Sequence, residues 1–155
     1  MELVSRESFL LANSVLLVVA TGAVLLGTIY PLIIDALNMG KLSVGPPYFN
    51  AVFVPLLVPT VFLMVPGTIA RWREAKVSEI AHTLRFSGLA AVVLAVGLPF
   101  VLGGWSFGAM LGIFLGAWVG LGTLQQVVTR LRKPGRIGLS FWGQNIAHFG
   151  MAVLV

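Results

Sequence analysis

Five long apolar runs leave this chain little choice of architecture. They cover about residues 9–37, 51–70, 86–102, 105–128 and 139–155, each close to the roughly 20 residues that cross a bilayer as a helix. Five crossings use about 100 of the 155 residues, so no separate soluble domain fits. Charged residues make up only 10% of the chain and the mean hydropathy is +1.00, whereas a soluble domain carries roughly 25% charge. The expected fold is an all-α, polytopic membrane bundle occupying residues 1–155 as a single segment. The first run is too long for the 7–15-residue core of a signal peptide, and the residues before it are not a basic leader.

The net charge of +5 would suggest nucleic acid in a soluble protein. Here the basic residues sit between apolar runs, where they set topology instead. Arg6, Arg71, Arg73, Lys76, Arg85, Arg130, Arg132, Lys133 and Arg136 fall on one side of the expected membrane, and Lys41 falls alone on the other. An excess of Lys and Arg marks the cytoplasmic side. The N-terminus is therefore expected in the cytoplasm, with the 38–50 loop and the Gly103-Gly104 turn facing outward. Residues 71–85 read as a short amphipathic helix on the inner leaflet, with Val77, Ile80, Ala81 and Leu84 on its apolar face and His82 on its wet face.

Several spans carry irregularities. The first is broken at the Tyr30-Pro31 step, and the second holds Pro55, Pro59 and Pro66. Each proline removes a backbone donor, so the second span is expected to bend and to pack where neighbours satisfy the freed carbonyls. Gly104, Gly108, Gly112, Gly116 and Gly120 recur every four residues in the fourth span. Small residues at that spacing open a groove for a second helix, and Ala23 with Gly27 makes a shorter version in the first span. The loop Lys41-Leu42-Ser43-Val44-Gly45-Pro46-Pro47-Tyr48-Phe49-Asn50 reads either as an ordered cap or as a docking surface.

There is no cysteine, so thiolate chemistry is excluded. No phosphate-cradling loop and no Ser–His–Asp set is present, and no residue stands out as catalytic. His148 stands out for another reason. It lies nine residues beyond Leu139, about 13 Å along a helix, near the membrane midplane and beside Gln144 and Asn145. An ionisable residue there is costly and points to function. Three roles remain open on these grounds: a neutral histidine bonded to a neighbouring helix, a proton relay, or an axial ligand to haem.

The segment KLSVGPPYFN over 41–50 closely resembles a signature loop of the CcmF family of cytochrome c-type biogenesis proteins, the haem lyase component. LLGTIYPL at 25–32, LVSRE at 3–7 and GQNIAHFGMAV at 143–153 are similar to the same family in the same order. A haem lyase of the nitrite reductase system is expected to share much of this pattern. The resemblance implies a multi-pass protein of the bacterial inner membrane that attaches haem to apocytochrome c. Its implied partners are a haem chaperone, the apocytochrome with its thiol-handling proteins, and quinol as the electron source. His148 matches a transmembrane histidine that ligates a b-type haem in that family, which makes haem b the expected cofactor.

The departures are equally specific. The family's tryptophan-rich WWD segment is absent, and Gly104-Trp105-Ser106-Phe107 is no version of it. The two outward-facing haem-binding histidines and the first transmembrane histidine are also absent. The resemblance thus implies a C-terminal portion of a longer haem lyase, inactive alone, whose second axial ligand and remaining segments come from outside this chain. The short final run, about 25 Å against a core of about 30 Å, agrees with that expectation. A transporter or channel subunit with a polar path, or a cofactor-free structural subunit, are the competing classes.

Overall fold

A computed structural model describes residues 5–70 and 76–155. Among them are five helices and no strand: α1 (Arg6–Ala36), α2 (Pro46–Ile69), α3 (Val77–Leu102), α4 (Phe107–Leu131) and α5 (Leu139–Leu154). The first four are long and apolar enough to cross a membrane. The 16 residues of α5 rise about 24 Å, short of a full hydrocarbon core, as the sequence leads one to expect.

Helix limits differ from the apolar runs in three places, each for a local reason. Ser5 precedes α1 and its hydroxyl accepts the Ser8 amide at 3.2 Å, capping the first turn. The helix then continues through Pro31 without a break and ends at Ala36, two residues before Asn38, whose φ of +54° cannot extend it. Helix α2 begins at Pro46, inside the stretch expected to be loop. Proline is at home in a first helical turn, where its missing N–H is no loss, and the Gly45 carbonyl accepts the amides of Tyr48 and Phe49.

Helix α3 begins at Val77, so the amphipathic stretch expected on the membrane surface is the first part of a crossing helix. Its polar residues end the apolar run without ending the backbone ladder. Arg71 and Arg73, like Leu3 and Val4 of the resemblance, lie outside the described residues.

The chain divides into two compact units, Leu10–Thr60 and Met1–Phe9 with Val61–Val155. In the first, the Tyr48 ring lies against Gly27 and its hydroxyl donates to the Ala23 carbonyl at 2.9 Å. The small pair Ala23 and Gly27 therefore receives an aromatic side chain from α2. A Cβ at position 27 would occupy the space taken by that ring.

The larger unit packs α3 on α4 and α4 on α5. Val61, Val65, Leu84, Ala91, Leu115, Trp118 and Val119 are buried there. Pro66 explains one central contact. A proline at i leaves the carbonyl at i−4 without its helical donor, which here is Phe62. The Trp118 indole of α4 donates to that Phe62 oxygen at 3.0 Å and stacks on the Phe62 ring, with centroids 5.2 Å apart. A neighbouring helix thus satisfies a carbonyl that proline frees, as expected of this proline-rich span.

The glycine stripe is used over its last three positions. Cβ atoms at Gly112 and Gly116 would lie 3.3 Å from the Val155 carbonyl oxygen and 2.9 Å from the Ala152 carbonyl oxygen, and one at Gly120 would touch the Ala152 methyl. These three glycines let the end of α5 approach α4 closely. Gly104 meets nothing within 4 Å, so the groove stops short of it.

Candidate functional site

Helix α5 presents two unlike faces. Phe141, Gln144, Asn145, His148, Met151 and Ala152 are buried or half-buried, whereas Trp142, Gly143, Ile146, Ala147, Phe149, Gly150, Val153 and Leu154 are exposed. The first set recurs at three- and four-residue intervals, the spacing of one helix face, and Ala152 on that face touches α4. His148 therefore lies on the α4-facing side, about two and a half turns from the α5 start and one turn from the Ala152 contact.

The polar residues grouped with it by sequence are brought onto the same side unequally. Asn145 is buried, and its amide nitrogen donates to the Phe141 carbonyl at 2.7 Å. Its side-chain oxygen is buried without a hydrogen-bond partner. Gln144 is half-buried. His148 makes no hydrogen bond to a described residue, so nothing in the described chain engages its ring nitrogens. His82 is exposed on the second turn of α3 and joins no such cluster.

Among the described residues no three His, Cys, Asp or Glu side chains gather to hold a metal ion. A haem iron needs less, since imidazole nitrogen is a common axial donor. His148 fits one axial position: it sits in an apolar helix, half-buried and uncommitted. The chain offers no second histidine at that depth, so the donor set fits half of a bis-histidine site. The glycine groove beside α5 is a separate, apolar cavity of about 460 Å³, bounded by Leu98, Gly108, Gly112, Gly116 and Ala152 and not by His148.

Two sets of residues become visible only in three dimensions. Trp118 links α2 to α4, as described above. Gln125 links α4 to α3: its Nε2 donates to the Thr83 carbonyl, and the Ser87 hydroxyl donates to its Oε1. Ser87 and Gln125 are polar residues inside apolar runs, which is the sequence signal that marks such interhelical bonds.

The chain is similar over nearly its whole length to curated proteins. It is 41% identical over 155 residues to the cytochrome c-type biogenesis protein CcmF of Pseudomonas fluorescens, an alignment covering 96% of this chain and 24% of that protein. It is 35% identical over 157 residues to CcmF of Escherichia coli, covering 97% of this chain and again 24% of the relative. A shorter match, 41% identical over 64 residues, is to the cytochrome c-type biogenesis protein NrfE of Haemophilus influenzae and covers 41% of this chain and 10% of that protein. No family model and no solved structure matches the chain. The chain spans about a quarter of the length of the CcmF proteins it matches. The chain is therefore a homologue of the CcmF cytochrome c-type biogenesis proteins, matching about a quarter of their length.

Proposed function

We propose that this chain forms a C-terminal portion of a membrane haem lyase in c-type cytochrome maturation, and that His148 supplies one axial ligand to a b-type haem within the membrane. The second ligand comes from outside the chain. The observation that carries this reading is the state of His148: deep in an apolar helix, on the bundle-facing side, and free of hydrogen bonds to described residues. A half-buried imidazole in an apolar helix, left without a partner, is costly unless something else engages it.

The chain's own part is to hold that nitrogen in place. The glycine face of α4 lets α5 seat closely through Ala152 and Val155, which fixes the helix that carries His148. Haem, when bound there, supplies one-electron chemistry. In this reading the rest of the lyase, a haem chaperone, the apocytochrome c with its thiol-handling proteins, and quinol complete the system in the bacterial inner membrane. Replacing His148 with alanine in native membranes should abolish the reduced b-haem absorption band. An unchanged spectrum would remove the ligand assignment.

The same proposal sets the orientation. Arg6 precedes or opens α1, Lys76 precedes α3, and Arg130, Arg132, Lys133 and Arg136 close α4 and lead into α5, whereas Lys41 lies between α1 and α2. Alternating crossings put all but Lys41 on one side, the cytoplasm by the distribution of charge. A reporter fused after Arg132 should read cytoplasmic and one after Lys41 external; the reverse pattern would contradict the assignment.

A further inference from the structure

Two polar groups on the inner face of α5 are each incomplete, and they lie within one turn of each other. Asn145 is 2% exposed and is the buried residue of its helix. Its Nδ2 donates to the Phe141 carbonyl at 2.7 Å. Only the nitrogen of an amide can make that bond, so the atom left over is the oxygen. That Oδ1 is buried without a hydrogen-bond partner, a condition native structures seldom leave without a cause. His148, three residues on, is half-buried and makes no hydrogen bond to a described residue. A neutral imidazole carries one N–H and one acceptor nitrogen. One face of one helix thus holds an acceptor without a donor and a donor without an acceptor.

We infer, on the reading of His148 as an axial haem ligand, that Asn145 Oδ1 accepts the Nδ1–H of His148 and so positions the imidazole with Nε2 free for iron. Residues three apart on a helix have Cβ atoms about 5–6 Å from each other. A helical side chain covers the turn N-terminal to its own Cα, which for His148 is the turn of Gln144 and Asn145. Nδ1 is the ring nitrogen nearer the backbone, so a partner on the same helix reaches it and leaves the far nitrogen to the metal. A ligating histidine ordinarily donates its other N–H to an acceptor, which fixes the tautomer and makes the imidazole more basic. Gln144 has less need of that bond, since its half-buried amide leaves no buried atom unpaired. Thr123 of α4 is the rival donor to Asn145. Ala152 sits on Gly116 and Gly120, and the same antiparallel register brings Asn145 level with Thr123, which is buried. A helical threonine hydroxyl, however, can turn to the carbonyl one turn back, as Thr21, Thr28, Thr60 and Thr83 do here.

The test is a redox titration of the b-haem band in native membranes carrying the whole protein. Asn145→Leu keeps the size of the side chain and removes the acceptor. The imidazole then becomes less basic and ferric iron loses stabilisation, so the midpoint potential should rise while the spectrum stays low-spin. Haem should also be held about tenfold less tightly. Asn145→Asp retains an acceptor and should titrate at or below the wild-type potential. Asn145→Val should share the rise and serves if the leucine variant does not fold. Gln144→Leu and Thr123→Val should leave the potential where it is. An unchanged potential in the folded leucine or valine variant would overturn the inference. Equal rises in the leucine and aspartate variants would do the same, since they would mark a packing effect. A shift in Gln144→Leu or Thr123→Val as large as that in Asn145→Leu would give the role to that residue instead. The ligand reading fails separately: it falls if His148→Ala keeps the b-haem band, whereas loss of that band with an unmoved Asn145→Leu potential overturns only the Asn145 assignment.

Discussion

The two units of the molecule are held together by different means. In Leu10–Thr60 one side chain does most of the joining: Tyr48 sets its ring on Gly27 and its hydroxyl on the Ala23 carbonyl. Only Ala20 and Gly27 of α1 are buried, and Leu10, Leu11, Val15, Val18, Leu25 and Leu26 are exposed. In the larger unit, a stacked Trp118, a glycine face and the Ser87–Gln125–Thr83 bonds join α3, α4, α5 and the end of α2. The difference follows from what a membrane withholds. Lipid is as apolar as leucine, so association rests on close backbone approach and on polar groups that find partners. The larger unit has many of both; the smaller has one of each.

The largest effect expected of a single change is at Trp118. Trp118→Ala removes the stack on Phe62, the contact over Gly88 and the donor to the Phe62 carbonyl, and should cost about 3 kcal/mol in detergent unfolding. Pro66→Ala restores an amide to α2 that can serve the Phe62 carbonyl from within the helix. In that background the Trp118→Ala penalty should shrink by about 1 kcal/mol. A double-mutant cycle with no coupling would detach Trp118 from the proline defect.

Gly116→Leu comes next. Its Cβ would meet the Ala152 carbonyl oxygen at 2.9 Å, and backbone cannot yield as a flexible side chain does. Overpacking of about 2 kcal/mol is expected, read as loss of stability together with weaker retention of whatever α5 holds. The smallest effect belongs to the smaller unit. Tyr48→Phe keeps the ring on Gly27 and deletes one interhelical hydrogen bond, worth about 0.6 kcal/mol in a membrane protein. If Tyr48→Phe destabilised as much as Trp118→Ala, the contrast between the units would fail.

Much of this organisation is legible from residue spacing. The apolar runs locate all five helices, and the four-residue repeats mark two of the close approaches, Gly112–Gly116–Gly120 with α5 and Ala23–Gly27 with Tyr48. Helix starts are not legible in the same way, because hydropathy reports where a membrane would begin and not where a backbone ladder does. Pro46 and Pro47 suit a turn and a first helical turn equally, and Val77–Arg85 carries polar residues on a helix that continues into the apolar run. The role of Trp118 depends on a carbonyl freed by Pro66 in a different helix, which no single run displays. The candidate site is legible as a residue and not as an environment. His148 is conspicuous in its span, but the burial of Asn145 and the side of α5 that meets α4 are fixed by packing.

An imidazole rescue tests the proposed ligation of haem iron by the His148 ring nitrogen directly. In native membranes carrying His148→Gly, the low-spin b-haem spectrum should be lost and should return when free imidazole is added, because the vacated position accepts the missing donor. A low-spin spectrum that persists in His148→Gly without imidazole would contradict the claim.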